Sequence, residues 1–270
     1  MRKGLTYAAL IALALFLVAP FIWMVLVSLH PSRAPIPEMG KLIPETPAWH
    51  NYSFVLFHPE VPVRVFLLNS VVVALSIVFG QLLITSLAAF ALARLRFPGA
   101  NALFWAFLAS MMFAGVVTQI PVYVFMKQFG WLDTYAALIV PGLSSSFNVF
   151  LLRQFMIGLP VELDEAAMME GAGPWHIYSR VILPLSKPAL VTAAAFTFFA
   201  TWTDFFWPLL STNSMRMRTL EVGLSIFRNS YTTNWPLQMV AAVITLVPVI
   251  VVFAISQRVF VRGIQMTGMK

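Results

Sequence analysis

Six stretches of this chain approach or exceed the length of uncharged sequence needed to cross a bilayer, and no other feature constrains the fold as strongly. They run Leu5–Leu29, Val65–Ala93, Phe97–Met126, Thr134–Leu152, about Pro188–Leu210 with one internal acid, Asp204, and about Pro236–Gln257. A helix needs roughly 20 apolar residues to cross about 30 Å of hydrocarbon. The runs are apolar on all faces, without the period-two alternation of a β-barrel strand. Backbone groups in hydrocarbon must also pair within their own segment, which leaves helix as the reading. The expected fold is therefore all-α and polytopic: one membrane domain over residues 1–270. Its six helices are placed at about 5–29, 65–93, 101–125, 134–155, 188–210 and 236–257.

Composition agrees. Only 10% of the 270 residues are charged and 60% are apolar, against about 25% charged in ordinary soluble domains. The basic start and apolar run beginning MRKGLTYAAL imitate a secretory signal. The run is too long for one and no A-x-A site follows, so it reads as a retained first span. The absence of cysteine removes disulfide scaffolds, thiolate metal sites and cysteine nucleophiles. A net charge of +7 without stacking aromatics interleaved along a soluble groove points to anionic lipid rather than nucleic acid.

With six spans both termini share a side, and the positive-inside rule selects it. A cytoplasmic amino terminus puts ten Lys and Arg inside, from Arg2 and Lys3 through Arg94, Arg96, Arg153, Arg180, Lys187, Arg258 and Arg262 to Lys270. Seven remain outside: Arg33, Lys41, Arg64, Lys127, Arg216, Arg218 and Arg228. The bias is modest and favours the cytoplasmic side for both termini.

The longest inner loop is then residues 158–186. Within it, LPVELDEAAMMEGAG reads as a short helix, with Glu162, Asp164 and Glu165 at its positive end and Gly171 as the stop. Pro174 starts a second helix, PWHIYSRVI, which Pro184 is expected to end. Ala166, Ala167, Met168 and Met169 form a small, adaptable surface suited to docking in a groove. Equally, the acids could only cap a helix whose methionines touch headgroups.

The segment EAAMMEGAGPWHIYSRVILP resembles the EAA loop of permease subunits from ATP-binding-cassette importers. Glu165, Ala166, Ala167, Gly171, Leu183 and Pro184 match that pattern at its spacing, with Val181 where isoleucine is usual. FIWMVLVSLHPS, AAFALARLRFPG, TWTDFFWPLL and QRVFVRGIQMTGMK extend the similarity to maltose-type carbohydrate permeases, specifically the smaller six-span partner. The resemblance implies a second homologous permease, two cytoplasmic ATPase subunits and an extracytoplasmic sugar-binding protein. ATP and magnesium would sit on the ATPases, with no cofactor on this chain. It also implies that Glu165, Ala166, Ala167, Met168, Met169 and Gly171, with Leu183 and Pro184, form an ATPase-coupling element. The tail at Thr267, Gly268, Met269 and Lys270 matches the family's ending only loosely, and a frayed basic tail is the alternative reading.

Candidates for a translocation path are Ser144, Ser145 and Asn148 in the fourth span, and Trp202 and Asp204 in the fifth. Hydroxyls and amides exchange hydrogen bonds with sugar hydroxyls, but the same residues can serve as interhelical glue. Intramembrane acids usually face a cavity or a partner, although Asp204 could instead be hydrated at the outer interface. Trp49, Trp131, Trp207 and Trp235 fall at predicted outer boundaries, where most would be interfacial anchors. Arg216, Arg218 and Arg228 offer an exposed basic face to a binding protein, or would steer an acidic cargo.

The expected function is carbohydrate import coupled to ATP hydrolysis on partner subunits. A sugar phosphate or glycerol-phosphate-like solute is the alternative. No G-x-x-x-x-G-K-[ST] occurs, so nucleotide chemistry would belong to another chain. An ion-coupled transporter would show inverted repeats and paired intramembrane charges. An intramembrane enzyme would show converging polar groups, yet His30, His50, His58 and His176 lie outside the runs and no H-E-x-x-H occurs.

Overall fold

The computed structural model describes residues 2–35, 41–230 and 234–267. Gly268, Met269 and Lys270 lie outside the described residues, as do the side chains of Arg258 and Arg262. Among the described residues there is helix and no strand. Four helical segments are long and apolar enough to cross a membrane, and two further helix pairs qualify if each is taken as one bent span.

Helix α1 (Arg2–Ser28) is followed by short α2 (His50–Leu56) and by long α3 (Val63–Arg94). Asn51 in α2 is buried and donates to the carbonyls of Ser28 and His30 at 3.0 and 2.8 Å, which fastens the end of α1 beside the start of α3. The last helix, α14 (Trp235–Thr267), packs against α1. Asn234, just before it, accepts from the Arg33 N–H at 3.2 Å, so α1 and α14 run antiparallel.

Outward positions of α3 are apolar, while several of its inward ones are polar. Near the middle of α3, Phe79 is 80% exposed while Gln81, two residues on, is buried at 7%. α1 is apolar and almost entirely unburied over its membrane window. Apolar side chains outside and polar ones inside is the arrangement that hydrocarbon favours.

The third predicted span is not one straight helix. Its residues form α4 (Ala100–Ser110) and α5 (Gly115–Gln128), bent by 100° where Ala114 is extended, at φ −62° and ψ 126°. Every residue at this break is uncharged, which hides it from a hydropathy scan. The fourth span is interrupted too. Helix α6 (Tyr135–Ile139) gives way to a 3₁₀ turn over Val140–Leu143, and after the extended Ser144 and Ser145 the chain resumes as α7 (Ser146–Ile157). Pro141 lacks the N–H a continuous helix needs, and the Ser145 hydroxyl accepts from the Asn148 N–H at 3.2 Å to cap the restart.

The inner-loop helices differ from expectation at one end. Helix α8 (Glu162–Met169) stops at Gly171, whose φ of +84° suits glycine. The second begins as α9 (Pro174–His176), widens to a π-helix over Ile177–Ile182 and continues as α10 (Leu183–Leu185), so Pro184 does not end it. Pro184 stands in the first turn of α10, where a missing N–H is tolerated. A 75° bend then leads into α11 (Lys187–Trp202). The fifth span ends at Trp202 rather than running to Leu210. Asp204 occupies the break before α12 (Phe206–Ser211), and α13 (Leu220–Ser230) precedes α14.

The core lies along α3, which packs most heavily on α7 and α11. Phe66, Leu220, Leu224 and Val240 are fully buried at one end, and Leu152, Met156 and Ile182 at the other.

Candidate functional site

Two places concentrate polar chemistry: the 158–186 loop and a cavity among α3, α5, α7 and α11. Helix α8 is held by a buried ion pair. Arg94, at the end of α3, lies 3.3 Å from Asp164, with both side chains under a tenth exposed. The Arg94 guanidinium also donates to the Leu159 carbonyl at 2.9 Å. Asp164 is therefore the anchor of the loop, a role that its position in the first helical turn did not reveal. The partner is 70 positions away, and only folding brings it there.

With Asp164 turned inward, the opposite side of α8 faces out. Glu165 and Ala166 are exposed, Met168 is 55% exposed and Met169 89%. Ala167 is partly buried against the core of Leu152 and Ile182, and Leu183 packs there as well, whereas Pro184 is exposed. Behind α8, the Tyr178 hydroxyl lies 2.8 Å from the Ser86 hydroxyl, tying the π-helix to α3. The loop is thus a shelf anchored to α3, with a small, methionine-bearing edge.

The cavity has a volume of about 620 Å³. Ser144, Ser145, Asn148 and Asp204 all line it, so four of the five candidate path residues are brought together. Trp202 is the exception. It is 2% exposed, stacks on Phe198 and donates through its indole N–H to the Thr245 carbonyl at 3.0 Å, on the far side of α11. Its ring is a core element that joins α11 to α14. Trp207, expected at the interface, is also buried. It lines the cavity and donates to the Ala137 carbonyl at 2.9 Å. Trp49, Trp131 and Trp235 retain substantial exposure.

Asp204 accepts from the N–H groups of Phe206 and Trp207 at 3.1 and 3.3 Å, capping α12. Deeper in the cavity wall, three residues from three helices form a knot. Asn148 Nδ2 donates to Gln81 Oε1 at 2.6 Å and to Thr197 Oγ1 at 2.8 Å, and the Thr197 hydroxyl donates to Gln81 Oε1 at 2.5 Å. Gln81 Nε2 donates to the Gly142 carbonyl at 2.7 Å, within the 3₁₀ break. Gln81 and Thr197 were missed as site residues. The available signal was an amide in an otherwise apolar run.

At the opposite end from α8, Arg216 and Arg218 precede α13 and Arg228 sits on it; Arg216 and Arg228 are exposed and Arg218 is half-buried. Asn69 holds this segment by donating to the Arg216 and Arg218 carbonyls at 2.8 and 2.9 Å. Asp133 accepts from the Asn213 and Ser214 N–H groups, both at 2.9 Å. Partial burial pushes its carboxyl up, but the N–H groups of Ser214 and Asn213 outweigh that and hold it below the ordinary value of 3.8.

Residues 5–266 match the sequence family described as the binding-protein-dependent transport system inner membrane component. The chain belongs to that family. Among curated relatives, a sn-glycerol-3-phosphate transport system permease protein of Rhizobium meliloti (strain 1021) is 36% identical over 239 residues, covering 86% of this chain and 83% of the relative. A protein of the same description from Agrobacterium fabrum is 37% identical over 200 residues, covering 73% and 71%. Among solved structures, a bacterial ABC transporter involved in the import of the acidic polysaccharide alginate superposes with a TM-score of 0.81 at 24% identity. It covers 95% of this chain and 96% of that one, a likeness that speaks to fold. This permease is a multi-pass inner-membrane component of a binding-protein-dependent ABC importer, a transport component rather than an enzyme. The expectation drawn from the EAA segment holds at the level of the family.

Proposed function

We propose that this permease carries a hydroxyl-rich, carbohydrate-like solute inward, and that α8 transmits the stroke of a partner ATPase. The observation that carries the coupling role is the one-sided anchoring of α8. Arg94 and Asp164 lock one face to α3, while Glu165, Ala166, Met168 and Met169 are left without a place in this chain's core. Small and unbranched side chains permit close approach to a groove, and an outward Glu165 supplies a charge for a basic group there. Gly171 provides the turn, and Leu183 and Pro184 carry the load into α11.

In this reading the chain pairs with a second homologous permease and two ATPase subunits that bind ATP and magnesium, and it receives cargo from an extracytoplasmic binding protein. The α8 end is cytoplasmic, with both termini on that side, as the excess of basic residues there favours. Arg216, Arg218 and Arg228 lie at the opposite end and form the face offered to the binding protein. ATPase closure would shift the population between inward-open and outward-open states through differential contacts at α8.

The cargo class rests on the cavity wall, where Ser144, Ser145, Thr118 and Asn148 supply hydroxyls and an amide. A phosphorylated polyol is the second reading, favoured by the glycerol-3-phosphate relatives. Purifying the permease with its co-expressed partners tests the assembly: an ATPase that stays bound and is stimulated by loaded binding protein is the expected result, and uptake driven by a sodium or proton gradient through this chain alone would overturn it. Titrating the binding protein with neutral sugars and with sn-glycerol 3-phosphate decides between the two cargoes.

A further inference from the structure

Residues 212–219 join α12 to α13 with no helix among them, so their backbone groups need partners from elsewhere. Side chains distant in sequence supply them. On α3, Asn69 donates from Nδ2 to two loop carbonyls, those of Arg216 at 2.8 Å and Arg218 at 2.9 Å. A carbonyl can only accept, so the direction of this amide is set, and its Oδ1 turns away to receive the Tyr135 hydroxyl at 2.6 Å. The neighbouring Ser70 hydroxyl accepts the Leu220 N–H at 2.8 Å, which fixes the loop where α13 begins. Asn69 and Ser70 are 3% and 5% exposed.

Asp133, just before α6, holds the other end. Its N–H donates to the Ser211 carbonyl at 2.8 Å, and its carboxylate accepts the Asn213 and Ser214 N–H groups. It does so from a left-handed backbone, at φ +60°, a conformation that a residue with a Cβ keeps only where its surroundings enforce it. Met217 is turned inward on Val73, Ile77 and Leu138, whereas Asn213, Met215 and Arg216 are exposed. The backbone is thus fixed from inside the protein, and three consecutive-turn side chains are left for a partner outside it. A loop ordered before contact loses less conformational freedom on binding.

We propose that Tyr135, Asn69 and Asp133 are positioning residues for docking of the extracytoplasmic binding protein. They hold residues 213–216 in one conformation, from which Asn213, Met215 and Arg216 meet that partner. The proposal rests on the reading of the basic outer face as the binding-protein contact. It adds that affinity there is set in part by side chains engaged with the loop rather than with the partner.

The test uses the assembled transporter in lipid nanodiscs and its cognate binding protein, loaded with substrate. Tyr135→Phe removes only the hydroxyl that sets the Asn69 amide. Asp133→Gly removes the carboxylate while leaving a residue at ease with positive φ, and Asp133→Asn keeps an acceptor oxygen on a residue that tolerates the same backbone. ATP hydrolysis is followed against binding-protein concentration. Tyr135→Phe should raise the half-maximal concentration roughly two- to tenfold, the scale of one net hydrogen bond. Asp133→Gly should raise it further, Asp133→Asn should restore part of that loss, and the rate at saturation should stay that of the parent. A nitroxide at Asn213→Cys, the one thiol on this chain, should give a more mobile spectrum in the Tyr135→Phe and Asp133→Gly backgrounds. A fall in the saturating rate with no change in half-maximal concentration overturns the proposal, since it marks general damage to the fold. Arg216→Ala separates the remaining outcomes. If it raises the half-maximal concentration and the positioning variants do not, the contact reading stands and the positioning role is overturned. If neither Arg216→Ala nor the positioning variants move it while the nitroxide loosens, the contact reading falls, and with it the partner assigned here.

Discussion

Replacing Asp164 with alanine should damage the protein more than the loss of any other loop acid. The carboxylate lies 3.3 Å from the Arg94 guanidinium, and the two side chains are 8% and 7% exposed. Removing it leaves a buried cation whose remaining protein contact through Nη2 is the Leu159 carbonyl, with Nε already unpartnered. Breaking a buried pair by deleting one member costs about 3–5 kcal/mol, a large share of a typical 5–15 kcal/mol of total stability. Replacing both members by apolar residues of similar volume behaves differently, because neither charge is stranded and the desolvation penalty of the pair disappears. Arg94→Met with Asp164→Leu should therefore recover most of the loss. Chemical denaturation of the detergent-solubilised complex, followed by tryptophan fluorescence, measures both. A single variant within about 1 kcal/mol of the parent, or a double variant as unstable as the single one, would refute the reasoning.

Three further outcomes follow from local geometry. Gly171→Val forces a β-branched residue to φ +84° where space is open, so backbone strain of about 1–2 kcal/mol acts at the turn; ATP-coupled uptake should fall sharply while membrane insertion, read by fractionation, is kept. At Gly223 a Cβ would collide with the ring of fully buried Phe66, so Gly223→Ala should lower stability by about 1–3 kcal/mol in a thermal melt of the complex. Asp133 and Glu221 should respond to pH with opposite sign. The lowered folded pKa of Asp133 gives stability that is full above 3.8 and lost as pH falls through the folded value. Burial raises Glu221 above 4.5 despite Arg228, so its contribution is present below 4.5 and lost as pH rises through the folded value. Asp133→Asn should flatten the acid limb of a melting-temperature profile, and Glu221→Gln should raise the melting temperature at neutral pH.

Much of the architecture was legible because hydrocarbon imposes a one-dimensional rule. α1, α3 and α14 follow from uninterrupted apolar length, and the 158–186 loop stands out by its acids, glycines and prolines. The break between α4 and α5 was not legible, since Met111, Met112, Phe113 and Ala114 are as apolar as any helix interior and the signal lies in backbone angles alone. Trp202 illustrates a second blind spot. An indole near polar residues could face a path or a neighbouring helix, and only the Thr245 carbonyl settles which. The knot of Gln81, Asn148 and Thr197 spans residues up to 116 positions apart. Its members could be suspected one by one, as amides and hydroxyls in apolar surroundings, but their mutual directions are a product of folding. The same holds for Arg94 and Asp164, each ordinary in its own segment.

The central claim is that the free edge of α8 seats against an ATPase at the cytoplasmic face. Met169 is 89% exposed on that edge, and the absence of native cysteine permits Met169→Cys as a single attachment point on this chain. A thiol-linked photoreactive probe on that residue, activated in the intact transporter in native membranes, should join this chain to the ATPase subunit. Adducts with phospholipid alone, or labelling of the same cysteine in intact cells by a membrane-impermeant thiol reagent from outside, would contradict the account.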